Sequence, residues 1–212
     1  MDPRAELLVV IVPGAVARET TFVWMEDLRR HLVDRGIPRV ELFPWSGRVG
    51  RASLELAGRR FAAALESWIP PGLSLADPQV LPVRVYAKSA GALVVRNGLN
   101  VLLDKYPGCR LQMLLQVASP NPPKTEDSLC AFSRVVNVYS ADDAFLKFFI
   151  RVGLFWRHRQ RLETDLTSVQ NIEIQGITHH AFNTNAVVET GSLAETRLFD
   201  YYYELLSDQA SV

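Results

Sequence analysis

The chain has 212 residues, enough for one domain with a substantial core and too few for two. Its 48% hydrophobic and 22% charged content is that of a globular protein, and 23 basic against 23 acidic residues cancel to zero net charge, without the basic excess of a nucleic-acid binder. Two cysteines, Cys109 and Cys130, lack metal-ligand spacing and make no disulfide framework, so a reducing, cytoplasmic setting is expected.

In chain order, Leu7–Val12 is the first predicted strand, ending at the breaker Pro13-Gly14 without a signal-peptidase site. A helix follows over Thr21–Arg35, with Phe22, Met25, Leu28, Leu32 and Val33 on one face. Val40–Phe43 is the second strand. Ser53–Trp68 is the second helix, facing inward with Leu54, Leu56, Phe61, Leu65 and Trp68. Strand Val83–Tyr86 leads into helix Ala90–Tyr106, and strands Leu111–Val117, Val135–Tyr139 and Ile172–Ile174 come next. Glu195–Leu206 is predicted as a closing helix. Most of the strand runs are continuously apolar, as in strands covered on both faces of a parallel sheet. Strands alternating with helices predict an α/β fold with a mainly parallel sheet of about six strands and helices on both faces, one domain over residues 1–212. No apolar stretch reaches the roughly 18 residues of a membrane span.

Chemistry concentrates where the third strand meets its helix, at Ala87-Lys88-Ser89-Ala90-Gly91. A strand running through a tight turn of small residues into a helix is the context of a nucleophile elbow, which lifts a serine hydroxyl above the sheet at a helix N-terminus. A serine at a helix start can also be a plain N-cap. The first strand ends in Pro13-Gly14-Ala15-Val16, a turn suited to offering a second oxyanion donor. The donors would be the backbone N–H groups of Ala15 and Ala90, with Gly14, Val16, Lys88 and Trp45 lining the substrate. The turn lacks either glycine pattern of a nucleotide-phosphate loop.

A serine nucleophile needs a base, and the base an orienting carboxylate. Strand Val135–Tyr139 runs into Ser140-Ala141-Asp142-Asp143, and the last strand region ends in Gly176-Ile177-Thr178-His179-His180. Two of the chain's four histidines therefore fall at one strand end, after the acids and after Ser89, which is the order Ser, acid, His. Spacing alone leaves open which aspartate and which histidine act, and an aspartate there can simply cap the next helix.

These segments resemble the α/β-hydrolase superfamily, in particular its compact lipase- and esterase-like members. The likeness runs from Leu7 to the closing helix and includes the Phe43-Pro44-Trp45-Ser46-Gly47 turn. Ser140-Ala-Asp-Asp143-Ala-Phe-Leu146 resembles the family's acid motif, and Gly176-Ile-Thr-His179-His-Ala-Phe182-Asn183 its histidine motif. The resemblance implies a minimal α/β-hydrolase fold that lacks the family's leading antiparallel strands. It implies a Ser89–His179–Asp143 triad, with Asp142 and His180 as alternates, acting on a small-molecule or lipid ester. Neither a metal nor an organic cofactor is implied. A thioesterase or acyltransferase on the same triad, or a non-catalytic scaffold keeping the fold, are the alternatives. Lys88 departs from the family's usual neighbours of the nucleophile. It is expected to be solvated and idle, to stabilise an oxyanion or to bind an acidic substrate. Phe145–Trp156, rich in aromatic and aliphatic side chains, reads as an acyl-binding wall or lid with peripheral lipid contact, or as a core helix.

Overall fold

Leu8–Val12 (β1) is buried along its whole length, as a strand must be when both faces of its sheet are covered. The computed structural model describes residues 7–15, 19–122, 126–151, 159–162, 164–190 and 193–207. Within them β1 is followed by Glu19–Asp34 (α1), Arg39–Leu42 (β2), Arg51–Trp68 (α2), Val80–Lys88 (β3) and Gly91–Lys105 (α3). Then come Arg110–Val117 (β4), Glu126–Leu129 (α4), Phe132–Tyr139 (β5), Ala144–Arg151 (α5) and Val169–Glu173 (β6). A hairpin of Val187–Thr190 (β7) and Leu193–Arg197 (β8) precedes the last helix, Leu198–Ser207 (α6).

The six long-range strands form one sheet in the order β2-β1-β3-β4-β5-β6, every neighbouring pair parallel. Two apolar layers sandwich it. One joins Phe61 and Leu65 of α2 and Val94 and Leu99 of α3 to Val83 and Val85. The other joins Met25, Leu28 and Leu32 of α1 and Tyr202 and Leu206 of α6 to Ile11, Tyr86 and Leu115. Helices thus cover both faces, as expected. The chain goes from β1 outward to β2 and then back across to β3, so the loops leaving β1 and β3 part to opposite sides. In doubly wound sheets that switch point is where a crevice opens at the carboxyl ends of the strands.

Three sequence expectations change. Glu195–Arg197 belongs to β8, paired with Val187–Val188, and not to the closing helix. That helix starts at Leu198, where the side-chain oxygen of Asn185 accepts from the Phe199 N–H and so satisfies one of its open donors. Val33 and Leu56, placed on buried faces by helical period, are exposed, because the stripes of α1 and α2 that meet the sheet are narrower than the apolar pattern.

Candidate active site

Ser89 follows the last residue of β3 and has φ 51°, a left-handed conformation that a residue with a Cβ adopts only when its surroundings impose it. The imposition is visible. Its N–H donates to the Val117 carbonyl at 2.8 Å, while its own carbonyl accepts from Ala92 to open α3. Gly91 lies against the end of β1, where any Cβ would stand 2.5 Å from the Pro13 oxygen and 2.7 Å from that of Val12. Gly14 is equally close from the other side, since a Cβ there would meet the Ser89 Cβ at 2.9 Å. The β1 turn and the β3 turn are therefore locked together by two backbones that only glycine lets approach. Trp45 braces the same turn from behind: its buried indole N–H donates to the Pro13 carbonyl at 2.8 Å. Among the described residues the Ala15 and Ala90 N–H groups donate to no backbone carbonyl. Val16 lies outside the described residues.

Past the end of β5, Asp143 is fully buried and splits its carboxylate. Oδ1 accepts from the Leu146 N–H at 2.8 Å, capping α5, and Oδ2 is 2.7 Å from His179 Nδ1. The side chains of His179 and Asp143 are 7% and 1% exposed, so this pair works in a low-dielectric setting. Burial pushes the imidazole below its ordinary value and Lys88 and His180 push the same way, while Asp143 opposes them. The neighbouring alternates sit apart. Asp142 is exposed, with Oδ2 accepting from the Gly176 N–H at 2.9 Å, and His180 is exposed at the start of the short 3-10 turn Ala181–Asn183. Phe145, on the first turn of α5, stacks on the His179 ring at 4.6 Å between centroids and 28° between planes. It is 42% exposed and Phe148 59%, whereas Leu146 is buried, so α5 is neither a core helix nor detached from the body. Residues 152–158 of the apolar segment lie outside the described residues.

Lys88 is not solvated, contrary to one sequence expectation: it is 4% exposed. Burial drives its ammonium down to about 7, with Asp143 pulling in the opposite direction.

A row of amides not singled out from the sequence crosses the sheet, Gln116 and Asn137 buried and Asn171 half-buried. Gln116, Asn137 and Asn171 occupy paired positions on β4, β5 and β6 and bond in series, Gln116 Nε2 to Asn137 Oδ1 at 2.8 Å and Asn137 Nδ2 to Asn171 Oδ1 at 2.8 Å. Arg96 of α3 donates to Gln116 and Asn121 at the head of the row. Asn121 and Asn137 hold the Gln160 carbonyl, and the Gln160 side chain reaches the Asp143 carbonyl at 3.3 Å. The row anchors irregular chain next to the acid. Its signal was available as single amides interrupting runs of valine and leucine.

No family model matches the chain, and neither does any curated protein. Among solved structures, it is similar to a proposed cell surface hydrolase from Lactobacillus plantarum WCFS1, with a TM-score of 0.51 and 11% identity over 96% of this chain and 90% of that one. It is also similar to the type II thioesterase of the yersiniabactin NRPS/PKS pathway, with a TM-score of 0.48 and 13% identity over 83% of this chain and 86% of that one. The first likeness bears on the fold. The parallel six-strand sheet with helices on both faces is a minimal α/β-hydrolase fold. Among the described residues no helix is long and apolar enough to cross a membrane, and no group of acidic, histidine or cysteine side chains is arranged to hold a metal.

Proposed function

We propose that the protein is a serine hydrolase that cleaves a carboxylic ester. The single observation that carries this reading is the buried Asp143–His179 hydrogen bond, an oriented base for which the serine held at positive φ at a strand-to-helix turn is the proposed nucleophile. In the proposed reaction the Ser89 hydroxyl attacks the ester carbonyl carbon while His179 Nε2 takes its proton. Asp143 bonds Nδ1–H, fixes the ring tautomer and stabilises the imidazolium. Collapse of the tetrahedral intermediate expels the alcohol, which leaves with the proton from His179. Water then attacks the acyl-serine by the same path in reverse. The Ala15 and Ala90 N–H groups receive the oxyanion, and losing one such donor typically costs about 3 kcal/mol of transition-state stabilisation. The depressed imidazole basicity keeps His179 neutral, and so able to accept a proton, at pH 7.

The test is covalent labelling with a fluorophosphonate probe, read by intact mass. One adduct is expected on the parent protein and none on Ser89→Ala or His179→Ala. Well-folded parent protein that takes no label would favour the non-catalytic scaffold instead.

A further inference from the structure

Asp143, Phe145 and His179 form one unit at the start of α5. Asp143 caps the helix through Oδ1 and bonds His179 Nδ1 through Oδ2, and Phe145, two residues on, lays its ring over the same imidazole. The centroids are 4.6 Å apart with 28° between the planes, within the range of aromatic stacking. The ring meets His180 in a tilted contact at 5.7 Å, so its flat face belongs to His179. The hydrogen bond and the stack constrain the imidazole in different ways. The bond fixes one corner of the ring but leaves its plane free to rock about the line from Nδ1 to Oδ2. A flat ring against the face stops that rocking and so fixes where Nε2 points. Phe145 is also the outer of the two rings, 42% exposed against 7% for the His179 side chain. The imidazole face beneath it is thereby kept from water.

We infer that Phe145 is a positioning residue for the base, a flat cover that fixes the tilt of the His179 imidazole against Asp143 and excludes water from one of its faces. The inference rests on the reading of His179 as the base of a serine hydrolase and adds a residue to that site. The titratable groups acting on the ring are Asp143 at the start of α5, Lys88 at the end of β3 and the adjacent His180, and a substitution at Phe145 removes none of them. What it removes is the cover. Water admitted to the imidazole face solvates the charged form, so the ring then titrates at higher pH. The attraction of a phenyl face for an imidazolium opposes this, but burial is the largest influence on this ring.

The titration can be followed without turnover, by proton NMR of the His179 Cε1–H in the full chain, the signal being the one missing from His179→Asn. Phe145→Ala is expected to move the midpoint to higher pH, and Phe145→Tyr, which keeps the flat ring, to leave it at the parent's value. Alanine is a better helix former than phenylalanine, and a cooperative melt shows that each variant is folded. With 4-nitrophenyl acetate, the acid limb of kcat/KM should rise in Phe145→Ala together with the NMR midpoint. On its alkaline plateau kcat should fall about tenfold, short of the roughly 10²-fold that a full ångström of misplacement costs. KM should stay within about twofold, as when an interaction specific to the transition state is removed. A midpoint that stays or falls in Phe145→Ala overturns the inference, as does Phe145→Tyr behaving like alanine. A loss confined to KM also overturns it and makes Phe145 a wall for the substrate. Fluorophosphonate labelling of the parent reports separately on the hydrolase reading. Labelled parent with no titration shift rejects the cover and keeps the serine hydrolase, and a shift without labelling does the reverse.

Discussion

Asp143 gives one oxygen to the first turn of α5 and the other to an imidazole, so the choice of substitution decides which role is lost. Asparagine caps a helix about as well as aspartate but cannot stabilise an imidazolium. Asp143→Asn is therefore expected to melt close to the parent while ester hydrolysis falls by about 10³–10⁴-fold. Asp143→Ala should show the same kinetic loss and also give up about 1 kcal/mol of capping in a denaturant titration. The lowered basicity of His179, set first by burial and then by Lys88, predicts an acid limb of kcat/KM below pH 6.5. A limb at or above that value would count against His179 as the base. Lys88 yields a stability prediction of its own. The unfolded chain keeps its proton up to about pH 10.5 and the folded protein releases it near 7, so stability rises as pH climbs between those values and the full cost is present below pH 7. Lys88→Met should thus melt several degrees above the parent at pH 6, at about 2–4 °C per kcal/mol for a chain of this size, with the gap closing toward pH 10.5.

The turns after β1 and β3 fit together through Gly14, Gly91 and the Trp45 bond to Pro13. Gly14→Ala must displace the Ser89 Cβ from a 2.9 Å contact, and a shift of that order at a nucleophile commonly costs about 10²-fold. Fluorophosphonate labelling rates should fall accordingly, while the melting temperature changes little. These elements differ in how far sequence could foretell them. Strands such as Leu8–Val12 were legible because burial on both faces writes itself as an unbroken apolar run. The first residues of β3 and β5 were less so: Val80–Pro82 and Phe132–Arg134 extend those strands backward through a proline in one case and a serine and an arginine in the other, which interrupt the run. The β7–β8 hairpin was missed because Glu195-Thr196-Arg197 is too short and polar to show a two-residue period, and its pairing is settled by Val187 and Val188 eight or more residues away. At the site, sequence order and strand ends singled out Ser89, two aspartates and two histidines. Which members face each other depends on how the chain turns after Ser140 and Ile177, and nothing local encodes that. The burial of Lys88 was equally hidden, because a lysine at the end of a strand is ordinarily in water.

Across the whole molecule the sheet grades from centre to edge. β1, β3, β4 and β5 each pair on both sides, while β6 has β5 alone and is exposed or half-buried along its length. Native-state hydrogen exchange should therefore find the slowest amides in β3 and β4 and the fastest of the six strands in β6. The chain from β6 carries His179, whereas Ser89 rides on the central strand β3. The two halves of the proposed chemistry accordingly rest on ground of unequal firmness. On warming, the margin bearing the imidazole should loosen while the middle of the sheet still holds the hydroxyl in its strained pose. Esterase activity is then expected to fade at a lower temperature than the far-ultraviolet circular dichroism signal. Inactivation that sets in this way reverses on cooling, because the scaffold it returns to has never come apart.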